Sequence, residues 1–258
     1  MTELAKMKLG KHPAKHMFGL PLVSSYTRHL PPPPPATNYG IKARTDAMFL
    51  NDTLGCCTVS AIGHAVEVWT ANAQAAEVTL PDSEIRRVYG AVSGYNGDPQ
   101  TDNGAACADV LRYWYDNPID GHKLNAFASV RPGNHDDIKN AVYRFGSCYI
   151  GIQLPLTAQD QDGPWDVVGG GNMTGNAAPG SWGGHCVAID AYDDDSGLTC
   201  RTWSMEKKMT WAFWDAYCDE AFALLGQDWI EADGRSPDEI DISQLMDDMN
   251  TFRGVRMK

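Results

Sequence analysis

Two residues in this chain have the chemistry of a covalent catalyst. Cys57 closes the run Asn51-Asp-Thr-Leu-Gly-Cys-Cys57 and opens an apolar stretch with helical spacing. A thiol at a helix N-terminus ionises more readily, because the helix dipole and its unbonded N–H groups favour the thiolate. His185 follows a glycine-rich segment and begins the strand-like run Gly-Gly-His185-Cys-Val-Ala-Ile-Asp-Ala-Tyr. An imidazole brought to the sulfur takes its proton and later returns it. Asn51 is the third candidate, its amide either capping a turn with Asp52 or stabilising an oxyanion. His64 shares a helix face with Cys57 but lies two turns away, about 10 Å, and reads as core.

The elements that must position these groups follow from periodicity. Ala61, Ala65, Val66 and Trp69 predict a helix from Cys57 to Asn72. Thr79 to Asp82 opens a second helix ending at Gly94, residues 104–116 form a third, and Asp136 to Phe145 a fourth that stops at Gly146. Beyond it the pattern turns to strands: Ser147 to Leu154, Cys186 to Tyr192, and Leu198 to Trp203 as hairpin partner across the acidic turn Asp193–Asp195. Residues 156–184 read as a long loop. The aromatic spacing from Trp211 to Leu225 predicts a helix, and Asp241 to Phe252 a final amphipathic one. A helical half followed by a strand-rich half, each donating one reactive residue, describes an α+β fold with a cleft between two lobes.

Charge is unevenly spread over the 258 residues. Residues 1–44 carry seven Lys/Arg against Glu3 alone, while the remaining 214 carry 14 basic and 32 acidic side chains. A basic arm on an acidic body lies on that body, on a neighbouring subunit or on another anion. The acidic body disfavours nucleic acid. Pro31 to Pro35 must be extended, as a stiff spacer or a partner's recognition motif. The expected organisation is an extended basic arm over 1–38, one domain over 39–230, and a C-terminal helix and tail over 231–258. No stretch approaches the ~20 apolar residues of a membrane span, and the N-terminus lacks the apolar segment of a secretory signal, so synthesis in a cytoplasm is expected. Seven Cys without framework spacing read as buried free thiols, Cys56 being open to oxidation against a third Cys. The glycines at 169–171 precede no Gly-Lys-Ser/Thr, and no Cys-x-x-Cys or His-x-x-x-His pair marks a metal site, so neither metal nor cofactor is expected.

These residues resemble the papain-like cysteine protease superfamily over most of residues 40–230. The 128 residues between Cys57 and His185 approach the roughly 130–150 expected of it. Asn51 stands six before Cys57, where the superfamily has an oxyanion-hole Gln, and Gly55 matches its turn. Thr202-Trp203-Ser204 is similar to its Asn-Ser-Trp-Gly motif. Ser-Trp-Gly-Gly-His and Lys-Met-Thr-Trp-Ala-Phe-Trp-Asp-Ala-Tyr resemble a branch found in bacteria and tailed phages. The resemblance implies a two-lobe fold, helical and antiparallel β-rich, and a hydrolase that cleaves peptide or isopeptide bonds. Arg201 departs from it, standing two before Trp203 where an Asn would orient the imidazole; a guanidinium only donates. Three functions are therefore compared: a thiol hydrolase of peptide-like substrates; a silent papain-fold component of a phage virion that binds neighbouring subunits through residues 1–38; and a redox-responsive protein using Cys56 and Cys57.

Overall fold

A computed structural model describes residues 3–74, 76–230 and 243–256. Two short elements lie in the first forty residues, α1 (Ser24–Thr27) and β1 (Ala36–Asn38). The central helix is α2 (Cys57–Ala73), buried from Cys57 through Thr70. It lacks a polar stripe because every face is packed: α3 (Asp82–Ser93) and α4 (Cys107–Asp116) on one side, the sheet on the other.

The second half is one antiparallel sheet. Its strands are β2 (Leu124–Val130), β3 (Cys148–Leu154), β4 (Gly183–Asp193), β5 (Gly197–Thr202), β6 (Met205–Met209) and β7 (Cys218–Gly226). Their spatial order is β2-β7-β3-β4-β5-β6, and β1 pairs with the far end of β4. Between β2 and β3 lies α5 (His135–Phe145), capped by the Asn134 side chain on the Asp137 N–H and ended by Gly146 at φ 72°. The helical lobe meets the sheet where α2, the Cys57 helix, packs on β4, the strand that carries His185.

The α+β architecture expected from the sequence is present, with three differences. The helix expected over Trp211–Leu225 is α6 (Trp211–Tyr217) followed directly by β7. Thr210 caps α6, but Phe222 to Leu225 pair with β2 on one side, while Phe222 and Ala223 also meet β3 on the other. Sheet pairing at a distance overrides a local aromatic spacing that fits either element. Three strands were not legible: β1, the doubly buried β2, and β6, whose Glu206 and Lys208 mark a charged edge.

The third difference is the arm. Leu4, Met17 and Val23 are buried in the common core, and the proline run is strapped down by Tyr192 Oη donating to the Pro34 carbonyl at 2.8 Å. It is a lining, not a free spacer. At the other end, α7 (Ser243–Arg256) buries Leu245 and Met249; Asp241 and Ile242 of the expected helix lie outside the described residues. No described helix is long and apolar enough to cross a membrane.

Candidate active site

The turn before α2 is built by side chains from three directions. Phe49 and Leu50 take left-handed backbone conformations (φ 52° and 61°), curling the chain so that Leu54 N–H reaches the Leu50 carbonyl at 2.8 Å. Gly55 N–H is held by both Asp102 oxygens, at 3.0 and 3.1 Å, and Asp102 also accepts the Tyr89 hydroxyl. The Cys56 carbonyl accepts from Val59 and Ser60, which makes Cys57 the first helical residue.

Cys57 is fully buried. Burial pushes its thiol up to about 12, against a smaller lowering effect of the nearby Cys186 and Gly10 backbone. Desolvation therefore outweighs the helix terminus, contrary to the sequence expectation of an eased ionisation.

His185 is also fully buried, its ring stacked on Trp203 with centroids 4.1 Å apart. Trp203 in turn meets Trp182 at 5.7 Å and Trp165 at 6.2 Å. His185 Nε2 lies 2.7 Å from Thr202 Oγ1, while Nδ1 has no hydrogen-bond partner among the described residues. Burial, reinforced by nearby His64, lowers the imidazole to about 3. Both groups thus rest neutral, and no hydrogen bond joins His185 Nδ1 to the Cys57 thiol.

Arg201 is not in the site. The expected register places it at the orienting position, but its side chain leaves the opposite face of β5. There it pairs with buried Asp190 and donates to the Gly40 and Arg44 carbonyls. Thr202, the last residue of β5, takes the position beside the imidazole, and Trp203 and Ser204 follow it with positive φ (48° and 53°) in the turn to β6. Burial raises Asp190 to about 6 despite Arg201. Removing the guanidinium strands that carboxylate, so Arg201→Ala is expected to cost about 3–5 kcal/mol in denaturant unfolding, with a smaller loss for Asp190→Asn.

Asn51 serves its turn and faces the groove at once. Its Nδ2 donates to the Leu54 carbonyl at 3.1 Å and to the Lys8 carbonyl at 3.3 Å. Trp203 Nε1 reaches the same Lys8 carbonyl at 3.3 Å. An acyl oxygen is therefore already held between these two donors, and it belongs to the arm. His64 makes no hydrogen bond to these groups; its ring lies on Phe49 and its Nδ1 3.3 Å from Glu67.

Residues 8–12 run through the groove between the lobes. Lys8 N–H bonds the Asn51 carbonyl (3.2 Å), Lys11 N–H the Gly184 carbonyl (3.1 Å), and His12 N–H the Ala105 carbonyl (3.0 Å). Ala105 N–H returns a bond to the Gly10 carbonyl at 2.8 Å. The fit requires glycines on both surfaces: a Cβ on Gly10 would overlap the Gly55 carbonyl, and one on Gly184 the Lys11 carbonyl. Sequence reasoning missed this wall of Gly104, Ala105 and Gly184, and the arm within it; the basic arm over an acidic body was the available signal.

All seven Cys are free, Cys56 pointing at the Phe49 carbonyl (3.3 Å). Among the described residues no group of three His, Cys, Asp or Glu is placed to hold a metal ion.

No protein-family profile matches the chain, and no curated protein is similar to it in sequence. Solved structures do match. Xylellain, a cysteine protease from Xylella fastidiosa, superposes with a TM-score of 0.62 at 13% identity, over 85% of this chain and 96% of its own. The fold is papain-like. Procathepsin B S9 from Trypanosoma congolense gives a TM-score of 0.60 at 11% identity, covering 87% of this chain and 88% of its own. Procathepsin L 3 of Tenebrio molitor larval midgut gives 0.53 at 14%, covering 84% and 76%. Within this papain-like fold, Cys57 opens the central helix and His185 the facing strand.

Proposed function

We propose that the chain is a papain-like thiol hydrolase of peptide or isopeptide bonds, cell-wall peptide included, held closed by its own residues 8–12. One observation carries the reading. The groove at Cys57 already holds an extended peptide through main-chain hydrogen bonds on both walls, with a carbonyl between Asn51 and Trp203. Two of the similar solved structures are proenzymes by name.

With the arm displaced, Cys57 Sγ would attack the substrate carbonyl as thiolate while its proton passes to His185. The tetrahedral oxyanion would take hydrogen bonds from the Cys57 N–H and the Asn51 amide, each worth about 3 kcal/mol in comparable sites. Collapse breaks the C–N bond, His185 protonates the departing amine, and a thioester remains. His185 then removes a proton from water, which attacks the thioester and releases the acid and the thiol. Thr202 Oγ1 fixes the ring by its hydrogen bond to Nε2, leaving Nδ1 for the proton transfers.

A second reading keeps the fold and drops the chemistry, as an assembly component of a phage particle whose arm engages neighbouring subunits. What favours it is that Cys57 and His185 are both buried and neutral. A thiol-directed electrophile separates the two. In full-length protein carrying Gly10→Ala, which cannot seat its arm, Cys57 is expected to be alkylated at neutral pH far faster than the other six Cys, and His185→Ala to abolish the difference. Labelling at a model-thiol rate, unchanged by His185→Ala, favours the silent component.

A further inference from the structure

The arm does more than cover the groove: one of its side chains fills a pocket. Lys11, whose backbone bonds Gly184, has a side chain with 0% exposure. Its Nζ lies 2.8 Å from Asp219 Oδ2 and 3.1 Å from Glu220 Oε1, and donates to the His12 carbonyl at 3.0 Å. The stem crosses Gly151, where a Cβ would overlap Lys11 Cε. A side chain at this position of β3 would crowd the Lys11 stem together with Glu220 Cγ and Asp219 Oδ1.

Glu220 is 7% exposed, and neither of its carboxylate oxygens has a hydrogen-bond partner among the described residues. Its ion-pair partner is Lys11. Asp219 Oδ2 also accepts from Gln153 Nε2 at 2.6 Å, while Oδ1 has no partner. Burial pulls Lys11 toward neutrality, but the acidic groups around it outweigh that pull and keep it charged. Two adjacent carboxylates at the end of a narrow slot are costly unless a cation sits between them. When the arm leaves, that requirement stays with the pocket.

We infer that the slot formed by Gly151, Asp219 and Glu220 is the specificity pocket of the groove and takes a lysine or arginine side chain of the bound peptide. The inference rests on the proposed hydrolase reading for its consequence, cleavage within two residues of a basic side chain, but not for the binding itself. Gly10, next to Lys11, packs against the Gly55 carbonyl two residues before Cys57, so a peptide seated like the arm brings its basic side chain close to the start of the Cys57 helix.

The test uses full-length Gly10→Ala protein and two synthetic peptides, a copy of residues 6–14 and the same peptide with leucine at the Lys11 position. Competition against the fluorescent copy reads binding without any chemistry. The lysine peptide is expected to bind about thirtyfold or more tightly than the leucine peptide, as for a buried charge pair losing one partner. In Asp219→Asn/Glu220→Gln protein, and separately in Gly151→Val protein, the preference should fall to within about twofold, with melting behaviour checked for each. Equal binding of both peptides overturns the pocket. Peptidyl electrophiles carrying Lys or Leu at that position, compared with iodoacetamide, read the hydrolase separately. A lysine preference in binding with no His185-dependent alkylation sinks the hydrolase and leaves the pocket standing; fast iodoacetamide reaction without that preference does the reverse.

Discussion

Replacing Gly10 by alanine is expected to raise the rate at which a thiol reagent reaches Cys57 by about ten- to a hundredfold. The added Cβ would overlap the Gly55 carbonyl, part of a turn pinned by Asp102 and unable to retreat without losing the Gly55 N–H bonds. Overpacking a tight contact costs about 1–3 kcal/mol. Here the cheapest relief is for residues 8–12 to lift out between the core anchors Leu4 and Met17, because that segment is held by a handful of main-chain bonds and the Lys11 ion pairs. The penalty therefore falls on the closed state and not on the core. Gly163→Ala is the control, since a Cβ there meets nothing within 4 Å. Alkylation of Cys57 followed by peptide mass mapping gives the rate. Limited proteolysis near residue 12 should rise in parallel. An unchanged rate with an unprotected arm would show that something other than residues 8–12 shields the thiol.

The gating segment is also where the sequence was least informative, for physical reasons. The start of α2 and the strand at His185 are written in local signals: a turn before an apolar helix, and a β-rich run after glycines. Those residues are buried by the elements they belong to, so periodicity reports them. Residues 8–12 are held by their backbone, which every sequence has, and by glycines whose value lies in what they lack. The partner of Lys11 is 208 residues away. Charge asymmetry left the arm on its own body, on a neighbouring subunit or on another anion, and pointed to no groove. Arg201 shows a different limit. Counting back from Trp203 gives a position but not a face: Arg201 is drawn to buried Asp190 and the Gly40 and Arg44 carbonyls, and the next residue, Thr202, meets the imidazole. The β7 strand fails in a third way, since the aromatic spacing of Trp211–Phe222 suits a helix until β2 and β3 claim its second half.

Acidification is expected to open the groove, with a slope set by His185. Its imidazole sits at about 3 in the closed structure against an ordinary 6.5, because burial disfavours the charged ring and His64 adds to the effect. A depressed value stabilises the closed state above the solvated value, and that contribution is lost as pH falls through the window from 6.5 toward 3. If opening hydrates the ring, the open fraction grows about tenfold per pH unit across this window. Cys57 limits the other side: raised by burial from 9.0 to about 12, it favours closure below 9 and releases it above. The closed arm is thus most stable between about 6.5 and 9, where both members of the pair are neutral. Burial holds Glu220 up while Lys11 holds it down, so losing Lys11 on opening adds to the acid limb. Hydrogen exchange at the Lys11 and His12 amides, both bonded across the groove, measures the opening directly once corrected for intrinsic exchange rates. His185→Gln removes the titrating ring while keeping a side chain able to bond Thr202, and should flatten the acid limb. A limb that persists unchanged in His185→Gln assigns the sensitivity to another group and breaks the link between the buried imidazole and the closed arm.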